Sequence, residues 1–153
     1  MITAHTTFAI LALVIGPLVF LRRKGDRRHR WLGRSFAIAL LGVILTAFGI
    51  YELTGGPNHF HALALLSLWT LWRSVIAIRR GDVASHLAHM AFAYAGLIAA
   101  LGSRLPLLLP SWPYGLATAV GIALPLIVTE LVVRWRIRRL PDDGEQTGQL
   151  PAT

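Results

Sequence analysis

Cysteine is missing from all 153 residues. That excludes disulfides, iron–sulfur clusters held by thiolates, and covalent haem attachment through a Cys-x-x-Cys-His motif. Charge is scarce as well. Only 14% of the residues are Asp, Glu, Lys or Arg, where a soluble domain carries about 25%. So few charges cannot cover a water-facing surface, so most of the surface faces something else. The formal net charge is +8, which would suit a nucleic-acid partner. However, the basic residues stand in short blocks between apolar runs, with no nucleic-acid-binding motif around them. No nucleic-acid partner is expected. There is no Ser-His-Asp set, Walker loop, Gly-x-Gly-x-x-Gly fingerprint or paired-carboxylate cleft, so hydrolase and nucleotide chemistry have no support.

What is present is apolar: 55% of the chain. A helix needs about 20 apolar residues to cross the hydrocarbon of a bilayer. Five segments qualify, at residues 2–21, 35–53, 60–78, 83–103 and 114–133. They predict an all-α membrane protein, with residues 1–134 as a single transmembrane domain in a lipid bilayer. Residues 135–153 read as a cytoplasmic basic segment and a disordered tail, because LPDDGEQTGQLPAT is polar and rich in turn formers. Lys and Arg then divide unequally between the two sides. One side holds Arg22, Arg23, Lys24, Arg27, Arg28, Arg30, Arg34, Arg79, Arg80, Arg134, Arg136, Arg138 and Arg139; the other holds Arg104 alone. The positive-inside rule puts the N-terminus outside and the C-terminus in the cytoplasm of a multi-pass inner (plasma) membrane protein. Trp31, Trp112, Tyr114 and Trp135 fall near span ends, where amphipathic rings prefer to sit. The first span has neither a basic lead nor a small-residue cleavage site, so it is not expected to be a signal peptide.

The first two hairpins resemble each other. His5 is followed 20 residues later by Gly25 in KGDRRH, and His61 is followed 20 residues later by Gly81 in RGDVASH. Each unit contains a His, an apolar span, basic-Gly-Asp and a second His, namely His29 or His86. The spacing to that second His differs by one residue. Gly25 and Gly81 can end one helix in the left-handed conformation, and the following Asp can cap the next. The expected core is a four-helix transmembrane bundle of two repeated hairpins, with a fifth helix at its edge.

Ionisable residues at membrane depth are costly and mark functional sites by default. The repeat puts His5 opposite His61 near the outer boundary and His29 opposite His86 near the inner one. Facing neutral imidazoles in a helical bundle are the usual axial ligands of a b-type haem, so one or two haem b groups are expected. His89 and Met90 are alternate ligands to His86. Ala9, Ala12 and Gly16 share the face of His5, and Ala93, Gly96 and Ala100 lie near that of His86. Such small residues leave space for a macrocycle or for close helix packing. Arg104, five turns after His86, could pair with a haem propionate. Arg73 could do the same or snorkel to the boundary. The simpler alternatives stay open. His29 could be interfacial, and the other three could be hydrogen-bonded without metal. His59 reads as a loop residue, and Trp69 and Trp72 as core packing. Glu130 and Arg134 read as an i,i+4 ion pair.

His5, Gly25, His29, Gly33, Arg34, His61, Gly81, Asp82, His86, Met90 and Arg104 carry a resemblance to a bacterial family of small membrane proteins named domain of unknown function 2306. The resemblance runs over roughly residues 5–104 and leaves the fifth helix outside. His89 stands where that family usually has an aromatic residue, and Leu87 where it usually has a basic one. The family name implies no activity. In layout the chain is also similar to the transmembrane ascorbate-dependent cytochromes b, which carry two haems, each held by two histidines. That similarity implies electron transfer across the membrane, with a redox partner. A small permease or proton-coupled carrier, with a small-molecule substrate, is the alternative, and a haem-free structural or assembly subunit is another. A homo-oligomer is compatible with all of these.

Overall fold

The computed structural model describes residues 1–23, 25–50, 56, 58–108 and 110–138. Those residues form five long helices: α1 (Ile2–Leu21), α2 (Arg27–Phe48), α3 (His59–Arg79), α4 (Val83–Gly102) and α5 (Tyr114–Ile137). No strand occurs among them. All five are long and apolar enough to cross a membrane.

The helix boundaries follow local chemistry. Gly25 and Gly81 adopt φ values of +85° and +79°, the left-handed conformation expected of a helix-ending glycine. Directly after each, an Asp caps the next helix. Asp26 accepts from the His29 backbone N–H and Asp82 from that of Ser85. The α3 start is set by Asn58, whose side chain accepts from the Phe60 N–H. Helix α2 begins at Arg27, directly after its expected Asp26 cap and eight residues before the apolar run that opens at residue 35, because a cap starts a helix regardless of whether the first residues are apolar. Long Arg side chains can carry their charge to the interface from a helix. The other end of that predicted span, residues 51–53, lies outside the described residues. The basic segment after residue 134 likewise continues α5 as far as Ile137; the rest of the predicted tail, from residue 139, lies outside the described residues.

Consecutive helices pack on each other, and α1 meets α4 to close a four-helix bundle. Helix α5 packs along α4 on the outside of that bundle. In a membrane, lipid removes most of the hydrophobic drive for helix association, so close backbone approach and side-chain fit must supply it. Both occur. A Cβ at Gly102 would collide with the Gly121 carbonyl, and one at Gly121 with that of Gly102. The α4–α5 seam is therefore backbone against backbone. Inside the bundle, Ala12, Phe36, Leu40, Ile44 and Ala93 are almost wholly buried. The outward faces carry Leu11, Val14, Ile38, Leu45, Ile127 and Leu131, all exposed. Trp69 and Trp72 belong with them at 53% and 59% exposure, so they do not pack the core as expected. When lipid replaces water, the outward face of a helix can carry large apolar rings.

The middle of the bundle is filled by aromatic rings. Tyr94 contacts Phe20 at 5.7 Å and Phe36 at 6.0 Å between ring centroids. Its hydroxyl donates to the Leu13 carbonyl at 3.3 Å. Gly16 admits this ring, since any Cβ there would overlap it.

Candidate functional site

A cavity of about 450 Å³ opens in the half of the bundle away from the basic loops. It falls in the range of ligand pockets, roughly 300–1,000 Å³. It is bounded by α1 to α4, and its wall is mostly aliphatic. The polar residues lining it are His5 and Thr6 of α1, Asn58, His61 and Ser67 at or in α3, and Arg104 just past α4. From His5 to Leu13, both on the wall, α1 descends eight residues, which at 1.5 Å each is about 12 Å. Ala9, Ala47, Ala64, Gly96 and Ala100 keep the walls thin.

The His5 ring is held across the first hairpin. Its Nδ1 lies 3.0 Å from the Thr46 hydroxyl. That hydroxyl has one proton, and it donates to the Gly42 and Val43 carbonyls at 2.6 and 3.0 Å. Thr46 is therefore the acceptor and His5 Nδ1–H the donor. In the neutral ring, Nε2 of His5 then keeps its lone pair.

His61 is only 7% exposed. It sits at the third position of α3, in a capping box with Asn58. The Asn58 backbone N–H reaches its Nδ1 at 3.2 Å, and the Asn58 side-chain oxygen lies 3.1 Å from the same nitrogen. Asn58 can therefore donate to one tautomer or accept from the other. In the second case Nε2 of His61 keeps its lone pair. The Phe48 ring lies 5.9 Å away, tilted. Arg104 is exposed at the rim, with its guanidinium 5.0 Å from the centroid of the Phe60 ring.

The other candidates are not brought into this cavity. Arg73 is on the outward face of α3, exposed, next to buried Ser74. His86 faces α3, where its Nδ1 lies 2.8 Å from the Ser74 hydroxyl and 3.1 Å from the Ser74 carbonyl. The Ser74 hydroxyl donates to the His86 carbonyl at 3.3 Å, so Nδ1 of His86 is the donor to Ser74. The His29 Nδ1 is buried with no hydrogen-bond partner among the described residues. The one-residue offset in the repeat has a geometric consequence. The caps make Ser85, not His86, the equivalent of His29. His86 is therefore turned by about 100° around its helix relative to a true repeat. His89 turns toward Trp69, with ring centroids 5.8 Å apart, and its Nδ1 lies 2.8 Å from the Ser85 carbonyl. Met90 is buried in the core. His59 is the first residue of α3 rather than part of a loop, and it is exposed. Glu130 and Arg134 form the expected ion pair on α5. Among the described residues, no three of His, Asp or Glu converge as a metal site.

Several contributors were not legible as site residues. Thr46 and Ser67 are lone hydroxyls in apolar runs, and only the folded hairpins reveal their neighbours. Asn58 had a signal, since Asn three residues before His61 at the head of an apolar run is a capping-box pattern.

The fold and cavity define a multi-span helical membrane protein, with a ligand-sized, histidine-lined cavity near one face of its bundle. The model of the family described as "Predicted membrane protein (DUF2306)" matches residues 2–135. The chain belongs to that family. The match runs through α5, so the fifth helix is part of the family's unit, not an addition outside it. No curated protein and no solved structure gave a match.

Proposed function

We propose that the chain is a b-type cytochrome-like membrane protein that holds one haem in this cavity and transfers electrons within the membrane. The observation that carries the proposal is the convergence of His5, His61 and Arg104 on a single apolar cavity. The donor set fits the group. A b-type haem takes two neutral imidazoles. Metal-bound histidines usually donate their second ring nitrogen to a neighbour. His5 already donates to Thr46; His61 Nδ1 would donate to the Asn58 side-chain oxygen on binding iron, in place of accepting the Asn58 backbone N–H. His5 and His61 would be the axial ligands, and Arg104 would pair with a propionate. Haem bound there would supply one-electron chemistry. The chain's own contribution is to fix the two imidazoles, exclude water with aliphatic walls and offer one cation at the rim.

A second haem between His29 and His86 has weaker support, because the offset in the repeat turns His86 toward Ser74. The ring contacts of Tyr94 with Phe36 and Phe20 inside the bundle favour a bound group over a substrate path through it. By the positive-inside rule, the cavity opens toward the outside of the cytoplasmic membrane.

The test is a haem titration of the purified protein in nanodiscs, followed by the Soret band. The wild type is expected to bind one equivalent with a six-coordinate low-spin spectrum. His5→Ala and His61→Ala should each lose that spectrum, while His86→Ala keeps it. An unchanged spectrum in both of the first two variants would contradict the assignment.

A further inference from the structure

The outward face of α3 carries a cation with no counter-charge among the described residues. Arg73 is exposed there, six residues before Arg79, where α3 ends. At helical rise that is about 9 Å inside the helix end. Arg73 makes no hydrogen bond or ion pair with a described residue. No Asp or Glu occurs in α1, α2, α3 or α4. Glu130 of α5 is already paired with Arg134. Arg80, seven residues after Arg73, is also exposed, and it falls within about 20° of Arg73 around the helix. Two indoles share this face. Trp72 is next to Arg73 and Trp69 is one turn before it, at 59% and 53% exposure.

An ionisable residue within a span is costly and calls for a partner. Trp likewise prefers the membrane–water interface, where its N–H finds an acceptor. Snorkelling can carry one guanidinium to the boundary. It leaves the indoles in hydrocarbon, since both start deeper along α3 than Arg73 does. Basic residues at the cytoplasmic end of a span recognise anionic lipid headgroups. We infer that this face of α3 binds one anionic phospholipid from the leaflet at the basic end. Its phosphate sits between Arg73 and Arg80, an ester oxygen accepts from the Trp72 N–H, and its chains lie over Trp69. The face opens to the membrane, so a lipid reaches it where a soluble anion does not. A second copy of the chain offers it no free carboxylate from any of its five helices. This site is separate from the histidine cavity and does not rest on haem.

The experiment gives the full chain in detergent equal amounts of phosphatidylglycerol and phosphatidylcholine with identical acyl chains, and counts bound lipid by native mass spectrometry. The wild type is expected to retain one phosphatidylglycerol, preferred at least about tenfold. Arg73→Gln should lower that preference about fivefold, the worth of one Arg beside an anionic headgroup, with helix content by circular dichroism unchanged. Trp72→Leu should reduce the retained phosphatidylglycerol. Arg136→Gln, which removes an exposed cation from the end of α5, should leave the preference as it is. Equal retention of the two lipids by the wild type, or a preference that survives in Arg73→Gln, would overturn the site. An equal loss in Arg136→Gln would reduce it to diffuse charge. A dimer that needs Arg73 and shows no lipid preference would replace the lipid with a second copy of the chain.

Discussion

The His5 ring is tied to the neighbouring helix through Thr46, whose hydroxyl accepts its Nδ1–H at 3.0 Å while donating its own proton to backbone carbonyls. This one contact sets the tautomer and the orientation of a cavity imidazole from 41 residues away in the chain. Thr46→Val keeps the shape and removes the acceptor. Losing such an outer-shell partner typically costs about 10–100-fold in metal affinity. Haem titration of Thr46→Val should show a loss of that order, with the helix content by circular dichroism unchanged. Wild-type affinity in the variant would mean that Thr46 does not orient the ligand.

Gly102 and Gly121 bring the backbones of α4 and α5 together. Backbone cannot step aside as a flexible side chain can. Gly121→Val should therefore destabilise the protein by about 1–3 kcal/mol or more, the usual cost of overpacking. Gly115, near the start of the same helix, has open space around it. Gly115→Val should stay within about 0.5 kcal/mol, as surface substitutions usually do. Thermal unfolding of both variants in detergent makes the comparison. Equal losses would show that the α4–α5 seam is not what holds the fifth helix.

Tyr94 packs against Phe20, Phe36 and Gly16 inside the bundle, and its ring and its hydroxyl can be separated by mutation. Tyr94→Phe removes the bond to the Leu13 carbonyl, a loss of about 0.5–1.5 kcal/mol. Tyr94→Ala also removes the ring over Gly16 and beside Phe36, and large-to-small changes of this kind cost about 3–5 kcal/mol. The expected order is wild type, then Phe, then Ala, with the larger step at the ring. If Phe and Ala unfold together, the hydroxyl and not the ring is what matters.

Because the chain has no cysteine, single cysteines can report its orientation directly. Thr3→Cys lies at the exposed start of α1, and Arg138→Cys at the exposed end of α5. With the basic loops in the cytoplasm, a membrane-impermeant maleimide should label Thr3→Cys in intact cells and Arg138→Cys only after lysis. The reverse pattern would place the cavity on the cytoplasmic side.

Most of the fold was legible in the sequence because lipid imposes a simple rule. Each crossing needs a long apolar run, and the five helices follow those runs. The boundary at Arg27 was not visible from hydropathy, which ignores capping; Asp26 carried that information. Of the candidate site, His5, His61 and Arg104 were legible because the repeat and helical spacing put them at one level of the bundle. Helical spacing alone did not say which way Arg73 faces: it is one position from buried Ser74, and a single position turns a side chain by about 100°. The same arithmetic separates His29 from His86. The hydroxyls of Thr46 and Ser67 could not be read, since their significance lies in which helix faces them.

The proposed function rests on His5 and His61 holding a haem. Its most direct test is the reduced-minus-oxidised optical spectrum of the full chain purified from cells supplied with haem precursor. A sharp b-type α band and Soret shift are expected at one haem per chain, abolished in His5→Ala and in His61→Ala. A featureless difference spectrum from well-folded protein would contradict it.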